Sequence, residues 1–400
     1  MRSPLDGITI LDMTHWQNGP WGTVMLSDMG ADVIKIEDPI GGDPGRAARG
    51  MQSNPDGPGT YFETMNRNKR AMTLNLKSQQ GRDIFYTMAK KADVITQNYR
   101  KGVVDKLMVG YETIKEINPK LVYASVNGFG PKGPDSHDGV FDILGQARGG
   151  FMYLSSIPDD DISYRVGGGI ADQVGAITLA YGVLLGIISR ERFGVGQHVQ
   201  TSQLGGQLML QALALNGYLI NGDLPQPRRR KNTPNPLFSI YKCADDRWVA
   251  IGCIQSDRYW RDFVQVLEIE QFEEDPRFCD MAARTANSAE LVKILDGVFI
   301  NRACDEWMAL LKPRGVNCAK VQTYEDIPND PQVTENDYIT TVEHPTFGTL
   351  TEVGVPVSLS ETPGWARTAA PEFGQHTEEI LQEFGYDWDQ ITDFRDKGVI

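Results

Sequence analysis

Cysteine is scarce in this chain: there are five, Cys243, Cys253, Cys279, Cys304 and Cys318. The number is odd and no pair has the short spacing of a zinc or redox motif, so they read as reduced core thiols of a cytoplasmic protein. The five histidines, His15, His137, His198, His344 and His376, show no H-x-x-x-H spacing, and no metal site is expected. Positive charge is also in short supply, with 39 Lys and Arg against 53 Asp and Glu, a net charge of -14. That balance speaks against a nucleic-acid or anionic-membrane partner, since both need a broad cationic face. No apolar run reaches bilayer length: the most apolar stretch, residues 174–188, reads as a buried helix. The first residues carry Pro4 and Asp6 where a signal peptide would be apolar. The Walker A loop and the G-x-S-x-G nucleophile elbow are missing as well, and the turn after the first strand, with Gly19 and Gly22 alone, does not provide the G-x-G-x-x-G dinucleotide fingerprint.

What is present is a chain of 400 residues, 40% hydrophobic and 23% charged, long enough for two domains. Short apolar runs at residues 8–11, 33–36, 72–76, 94–96 and 121–126 alternate with helical patterns, one after Pro20 and one over residues 80–92 with Ser78 as its cap. This alternation predicts an α/β fold, a Rossmann-like large domain with a parallel sheet covered by helices. A helix over residues 174–192 and an alternating strand at His198, Gln200 and Ser202 continue the pattern. The segment 221–236, with four prolines and the run Arg228, Arg229, Arg230, Lys231, has the composition of a solvated linker. The expected division is therefore a large domain over 1–220, the linker, a smaller α+β domain over 237–325 opening with a hairpin at 238–242 and 248–252, and a C-terminal segment 326–400 returning to the large domain. In that segment a strand pair at 343–356 and a helix at 377–384 are expected.

Three places carry candidate chemistry. The first strand runs into His15, Trp16, Gln17, Asn18, Gly19 and Pro20 and then a helix, the position where open α/β sheets bind ligands. Basic residues Arg46, Arg67, Lys69, Arg70, Lys77, Arg100, Lys101 and Lys106 recur near strand ends and could gather around a phosphate. Gly167, Gly168 and Gly169 lead into Asp172 at the start of the long apolar helix, expected near Gln173. An acidic residue there serves either as a helix cap or as a carboxylate nucleophile with backbone amides nearby for an oxyanion.

The set resembles the class III (CaiB/BaiF-type) CoA-transferase family, formyl-CoA transferase among its members. The resemblance rests on Pro4-Leu5-Asp6-Gly7-Ile8, Gly30-Ala31-Asp32-Val33-Ile34-Lys35-Ile36-Glu37, Asn66-Arg67-Asn68-Lys69-Arg70, Asn127-Gly128-Phe129-Gly130, Gly194-Val195-Gly196-Gln197 and Gly374-Gln375-His376-Thr377, spread over nearly the whole chain. It implies ring-shaped subunits in an interlocked homodimer, and transfer of coenzyme A from an acyl-CoA to a small carboxylic acid through mixed-anhydride and thioester intermediates on Asp172. Coenzyme A is then a substrate and no cofactor is permanently bound. Gln17 is the expected helper of Asp172, and Gln17, Asn18, Leu74, Lys77, Asn98, Tyr99, Lys106, Gly139, Val140 and Phe141 match segments that contact CoA. Asp38 stands where formyl-CoA members place an arginine. Two alternatives remain at this point: an acyl-CoA racemase of the same fold, whose motif places His where this chain has Phe141, and a non-catalytic subunit of a hetero-oligomer.

Overall fold

The computed structural model describes residues 2–48, 57, 59–156, 166–226 and 229–400. Six strands, β1 (Thr9–Asp12), β2 (Asp32–Glu37), β3 (Lys69–Thr73), β4 (Val94–Gln97), β5 (Val122–Asn127) and β6 (Gln197–Ser202), pair in parallel in the order β3-β2-β1-β4-β5-β6. Successive side chains point to opposite faces, and both sets are apolar because both faces are covered. Leu11, Ile34 and Ile95 pack with Ile84, Phe85 and Met88 of helix α1 (Gln79–Ala89) and with Ile380, Leu381 and Ile391 of the C-terminal segment. Their neighbours Ile10, Val33 and Val94 pack on the other face with Leu179, Val183 and Ile187.

Those last residues belong to a 24-residue helix, Ile170–Phe193, which packs closely on helix Asn18–Asp28. At Gly22 a Cβ would lie 2.9 Å from the Ala176 carbonyl oxygen, so only glycine allows this approach. The helix is longer than the apolar stretch suggested, and by length and composition it could cross a membrane, with 56% of its most apolar window buried against the rest of the protein.

The chain divides into two compact units, one of residues 1–155, 164–225 and 332–400 and one of residues 156–163 and 226–331. The second unit holds an antiparallel sheet of β7 (Phe238–Lys242), β8 (Trp248–Gly252) and β9 (Cys318–Lys320). Its core joins Tyr241, Val249, Phe263, Leu295, Phe299 and Trp307. The hairpin has the expected strands, while β9 carried too few residues to be read from pattern. In the first unit β10 (Ile339–His344) starts before the expected strand pair and joins β11 (Gly348–Val353). Of the basic run, Arg228 lies outside the described residues. Arg230 is not simply solvated, since its guanidinium donates to both carboxylate oxygens of Asp296 at 2.8 Å. Cys243, Cys253 and Cys304 are buried thiols as expected, but Cys279 is exposed.

The largest correction concerns β3 and the basic residues. The strand starts at Lys69, ahead of the apolar run, because the Lys69 ammonium is neutralised inside the protein by Asp12 at 3.1 Å. Asp12 is fully buried and also accepts from the hydroxyls of Thr14 at 2.6 Å, Thr23 at 2.7 Å and Thr96 at 2.9 Å. Arg46, Arg67 and Arg70 are likewise held by Glu37, Asp28 and Asp32, each at 2.7 Å. Four of the eight basic residues thus hold the fold together rather than waiting for a phosphate. Burial moves the Lys69 ammonium down to about 8 despite the opposing pull of Asp12. Removing the carboxylate would leave that charge uncompensated in the core. Asp12→Ala should therefore lower the unfolding free energy by about 3–5 kcal/mol in urea titrations.

Candidate active site

The loops that follow β1, β4 and β5 meet at the carboxyl ends of the sheet. Asn98, just after β4, clamps the loop after β1: its Oδ1 accepts from the His15 amide at 2.9 Å, and its Nδ2 donates to the His15 carbonyl at 2.7 Å and to Asn18 Oδ1 at 2.9 Å. The His15 ring stands edge-on to Tyr99 with centroids 4.4 Å apart. Trp16 adopts φ 65°, a left-handed conformation that is costly for an aromatic residue, and its ring meets Tyr61 and Phe141 edge-on at 6.2 and 6.1 Å.

These residues wall a cavity of about 370 Å³. Asn18, Asn98, Tyr99, Gly139, Val140, Phe141 and Asp172 of the sequence-predicted set all line it. A second cavity of about 300 Å³ shares His15, Tyr99 and Val103 with the first and contains Leu74 and Lys77. Two members of the set line neither. Lys106 is exposed beside the lining residue Leu107, and Gln17 turns its amide to the Gly168 carbonyl at 3.4 Å. The Lys77 ammonium lies 3.2 Å from Asp38, the residue that departs from the formyl-CoA pattern.

Asp172 does not cap its helix. The helix starts three residues earlier than expected, at Ile170, with the N-cap at Gly169; Gly168 and Gly169 take φ 77° and 70°, a pair of left-handed turns suited to glycine. Capping falls to a more distant carboxylate. Asp142, which opens helix Asp142–Arg148, accepts from the Ala171 amide at 2.8 Å through Oδ1 and from Gln146 Nε2 at 2.8 Å through Oδ2. The amide that a helix start leaves free is thereby satisfied, and the Asp172 side chain remains available to the cavity. Among the described residues it receives one hydrogen bond, from Gln203 Nε2 to its Oδ1. Burial, then repulsion from Asp142, pushes the Asp172 carboxyl up to about 7 against the lowering effect of Gln203.

Sequence reasoning missed Gln203 and the capping role of Asp142. An isolated glutamine gives no chemical pattern; the available signal was its place directly after β6, at the sheet end where ligands gather. The resulting arrangement is that of a doubly wound α/β protein with a largely buried carboxyl of raised pKa in the wall of a partly aromatic cavity.

The profile of CoA-transferase family III matches residues 5–377. The chain is 33% identical to the succinyl-CoA:mesaconate CoA-transferase of Haloarcula hispanica, covering 95% of this chain and 96% of that protein. It is 32% identical to the acetyl-CoA:oxalate CoA-transferase of Acetobacter aceti, with 96% of each covered. A CAIB/BAIF family protein from Brucella suis has a similar structure, with TM-score 0.85 at 27% identity over 96% of this chain and 100% of that one. The chain belongs to CoA-transferase family III, and it is an enzyme of that transferase class.

The raised carboxyl has a measurable cost. In the unfolded chain Asp172 loses its proton near the ordinary value of 3.8, while the folded protein keeps it to about 7. The folded state binds more protons in that window, so this group lowers stability as pH rises through it, and the loss is complete above about 7. Asp172→Asn should melt higher than the parent protein at pH 8, with the gain vanishing at pH 4 in thermal scans.

Proposed function

We propose that this enzyme moves coenzyme A from an acyl-CoA donor to a small carboxylic acid, with Asp172 as the covalent carrier. The observation that carries this reading is the Asp172 carboxylate, uncommitted to helix capping, in the wall of a cavity that adjoins the one containing Leu74 and Lys77. The nucleotide end of CoA lies toward Leu74 and Lys77, and the pantetheine passes His15 and Tyr99 to bring the thioester to Asp172.

The carboxylate attacks the thioester carbonyl, the carbon–sulfur bond breaks, and a mixed anhydride forms with CoA thiolate as leaving group. The thiolate then attacks the aspartyl carbonyl and displaces the first acid, which leaves an aspartyl-CoA thioester. An acceptor carboxylate runs the two steps in reverse. Each step exchanges one activated acyl bond for another, which removes any need for nucleotide hydrolysis. A carboxylate is a weak nucleophile when hydrated; burial here raises its basicity and removes competing water. The oxyanion of the attacked thioester is assigned to the backbone amides at Gly167 to Gly169 and to the Gln17 amide, which would turn from the Gly168 carbonyl to reach it. Phe141 has no titratable group, and Asp142 is engaged by Ala171 and Gln146, which disfavours proton abstraction at the α carbon.

The reading extends to a homodimer, interlocked as in the related family. Its support is apolar surface: Ile177, Tyr181, Leu185 and Ile188 on helix Ile170–Phe193 are 47–61% exposed, and the later helix Ala212–Asn221 buries none of its residues, with Leu213 and Ile220 93% and 77% exposed. Such area fits a second copy of the chain. Sedimentation at micromolar concentration should give a dimer, and Leu213→Glu combined with Ile220→Glu should shift it toward monomer.

The catalytic test is direct. Asp172→Asn should lower thioester exchange between acyl-CoA and free acid by on the order of 10³-fold or more, measured by mass spectrometry of new CoA esters. In the parent protein the rate should fall about tenfold per pH unit below about 7, as the carboxylate is protonated. Undiminished exchange in the variant would remove Asp172 from the reaction.

A further inference from the structure

Gln203 opens helix Gln203–Leu210 directly after β6, whose last residue Ser202 caps it by accepting from the Gly205 amide at 3.0 Å. The Leu204 amide also donates to the Gly128 carbonyl at 3.0 Å, so the backbone beneath Gln203 is tied to the end of β5. The side chain is 1% exposed and lines the Asp172 cavity. Its amide orientation is one-sided. Nε2 donates to Asp172 Oδ1, whereas Oε1 is buried without a hydrogen-bond partner among the described residues. Oε1 faces Gly145, where a Cβ would lie only 2.9 Å away. An orphaned buried carbonyl is unfavourable because its lost hydration is not replaced. Turning the amide over would set that oxygen against the carboxylate, so the charge on Asp172 fixes the donor toward it.

The two carboxylate oxygens are thereby made unequal. Oδ1 is held by Gln203, and Oδ2 has no hydrogen-bond partner among the described residues. Oδ2 is the free attacking atom, and Oδ1 becomes the aspartyl carbonyl oxygen once the anhydride forms. Resting on the transferase reading above, we infer that Gln203 is a further catalytic residue: its Nε2 is the oxyanion donor for the tetrahedral species formed at the Asp172 side-chain carbonyl. When CoA thiolate adds to that carbonyl, the electron pair moves onto Oδ1. When it returns, the bond to Oδ2 breaks and the departing acid carries Oδ2 away. Addition of the acceptor acid to the aspartyl thioester loads the same Oδ1, and the returning pair then expels CoA thiolate. Gln203 therefore acts in the two additions at the aspartyl carbon, while Gln17 and the glycine amides serve the additions at the substrate carbonyl. The assignment of Gln203 follows from position, since its amide faces Oδ1.

The experiment compares the parent protein with Gln203→Leu, close in size but without a donor, and with Gln203→Asn, which keeps the amide but is one methylene shorter. Each is mixed with acetyl-CoA and with succinyl-CoA without acceptor, and formation of the aspartyl-CoA adduct is followed by intact-protein mass spectrometry and hydroxylamine trapping. Both variants should form the adduct about 10²–10³-fold more slowly. Their acyl-CoA dissociation constants should stay within about threefold of the parent's, and the acidic limb of the rate profile should move to higher pH, because the hydrogen bond that favours the ionised carboxylate is gone. Adduct formation at the parent's rate in either folded variant would overturn the assignment. So would a uniform loss of binding with an unmoved pH limb, which is the signature of a structural role. Absence of adduct on the parent protein itself would instead overturn the transferase reading, and this assignment with it.

Discussion

The carboxylate of Asp12 is a fully buried charge surrounded by donors from four different elements. Thr14 follows it in the loop after β1, Thr23 comes from the helix after that loop, Lys69 from the start of β3 and Thr96 from β4. Taking a carboxylate and an ammonium out of water is unfavourable unless every lone pair and proton finds a partner, and here they do so only when those elements stand in one arrangement. Lys35 adds a second strand to the knot, donating to the Thr14 carbonyl at 2.8 Å and pairing with Asp43 at 2.7 Å. Asp43 in turn accepts from the Trp16 amide at 3.3 Å. The loop that walls the active cavity is thus anchored at Thr14 and Trp16 by Lys35 and Asp43, a charge pair that itself lines the adjoining cavity.

The chemistry of the cavity is set by a division of labour between two aspartates thirty residues apart in the chain. Asp142 does what an acidic residue at a helix start ordinarily does, but it reaches across from another helix to do it. Asp172, inside the first turn, is left partly desolvated next to a like charge, which pushes its carboxyl up to about 7. The energy for this comes from the surroundings: the long helix is fixed by its packing on the sheet and by the close approach at Gly22, so its first turn cannot relax toward water.

Much of this was legible in the linear chain. Alternating apolar runs announced the parallel sheet because each strand is covered on both faces, and the glycines before Asp172 announced a sharp entry into a helix. Leu74, Lys77, Asn98, Tyr99 and Phe141, expected as CoA contacts from the family resemblance, line the two cavities. The errors cluster where a charge is compensated at long range. Lys69 looked available to a phosphate because its partner Asp12 lies 57 positions away, and so did Arg46, Arg67 and Arg70 because Glu37, Asp28 and Asp32 cannot be assigned as partners from sequence.

The sequence alone determined the fold class, through hydrophobic periodicity, and singled out Asp172, through the glycine run and the family pattern, because both signals are local in the chain. Only the tertiary structure decided which carboxylate caps and which is free, which oxygen of Asp172 is held, and that Gln203 holds it. Those properties depend on burial and on distances between residues far apart in the chain, 29 positions for Asp142 and Ala171 and 31 for Asp172 and Gln203, and such contacts exist only once the sheet has brought its strand ends together.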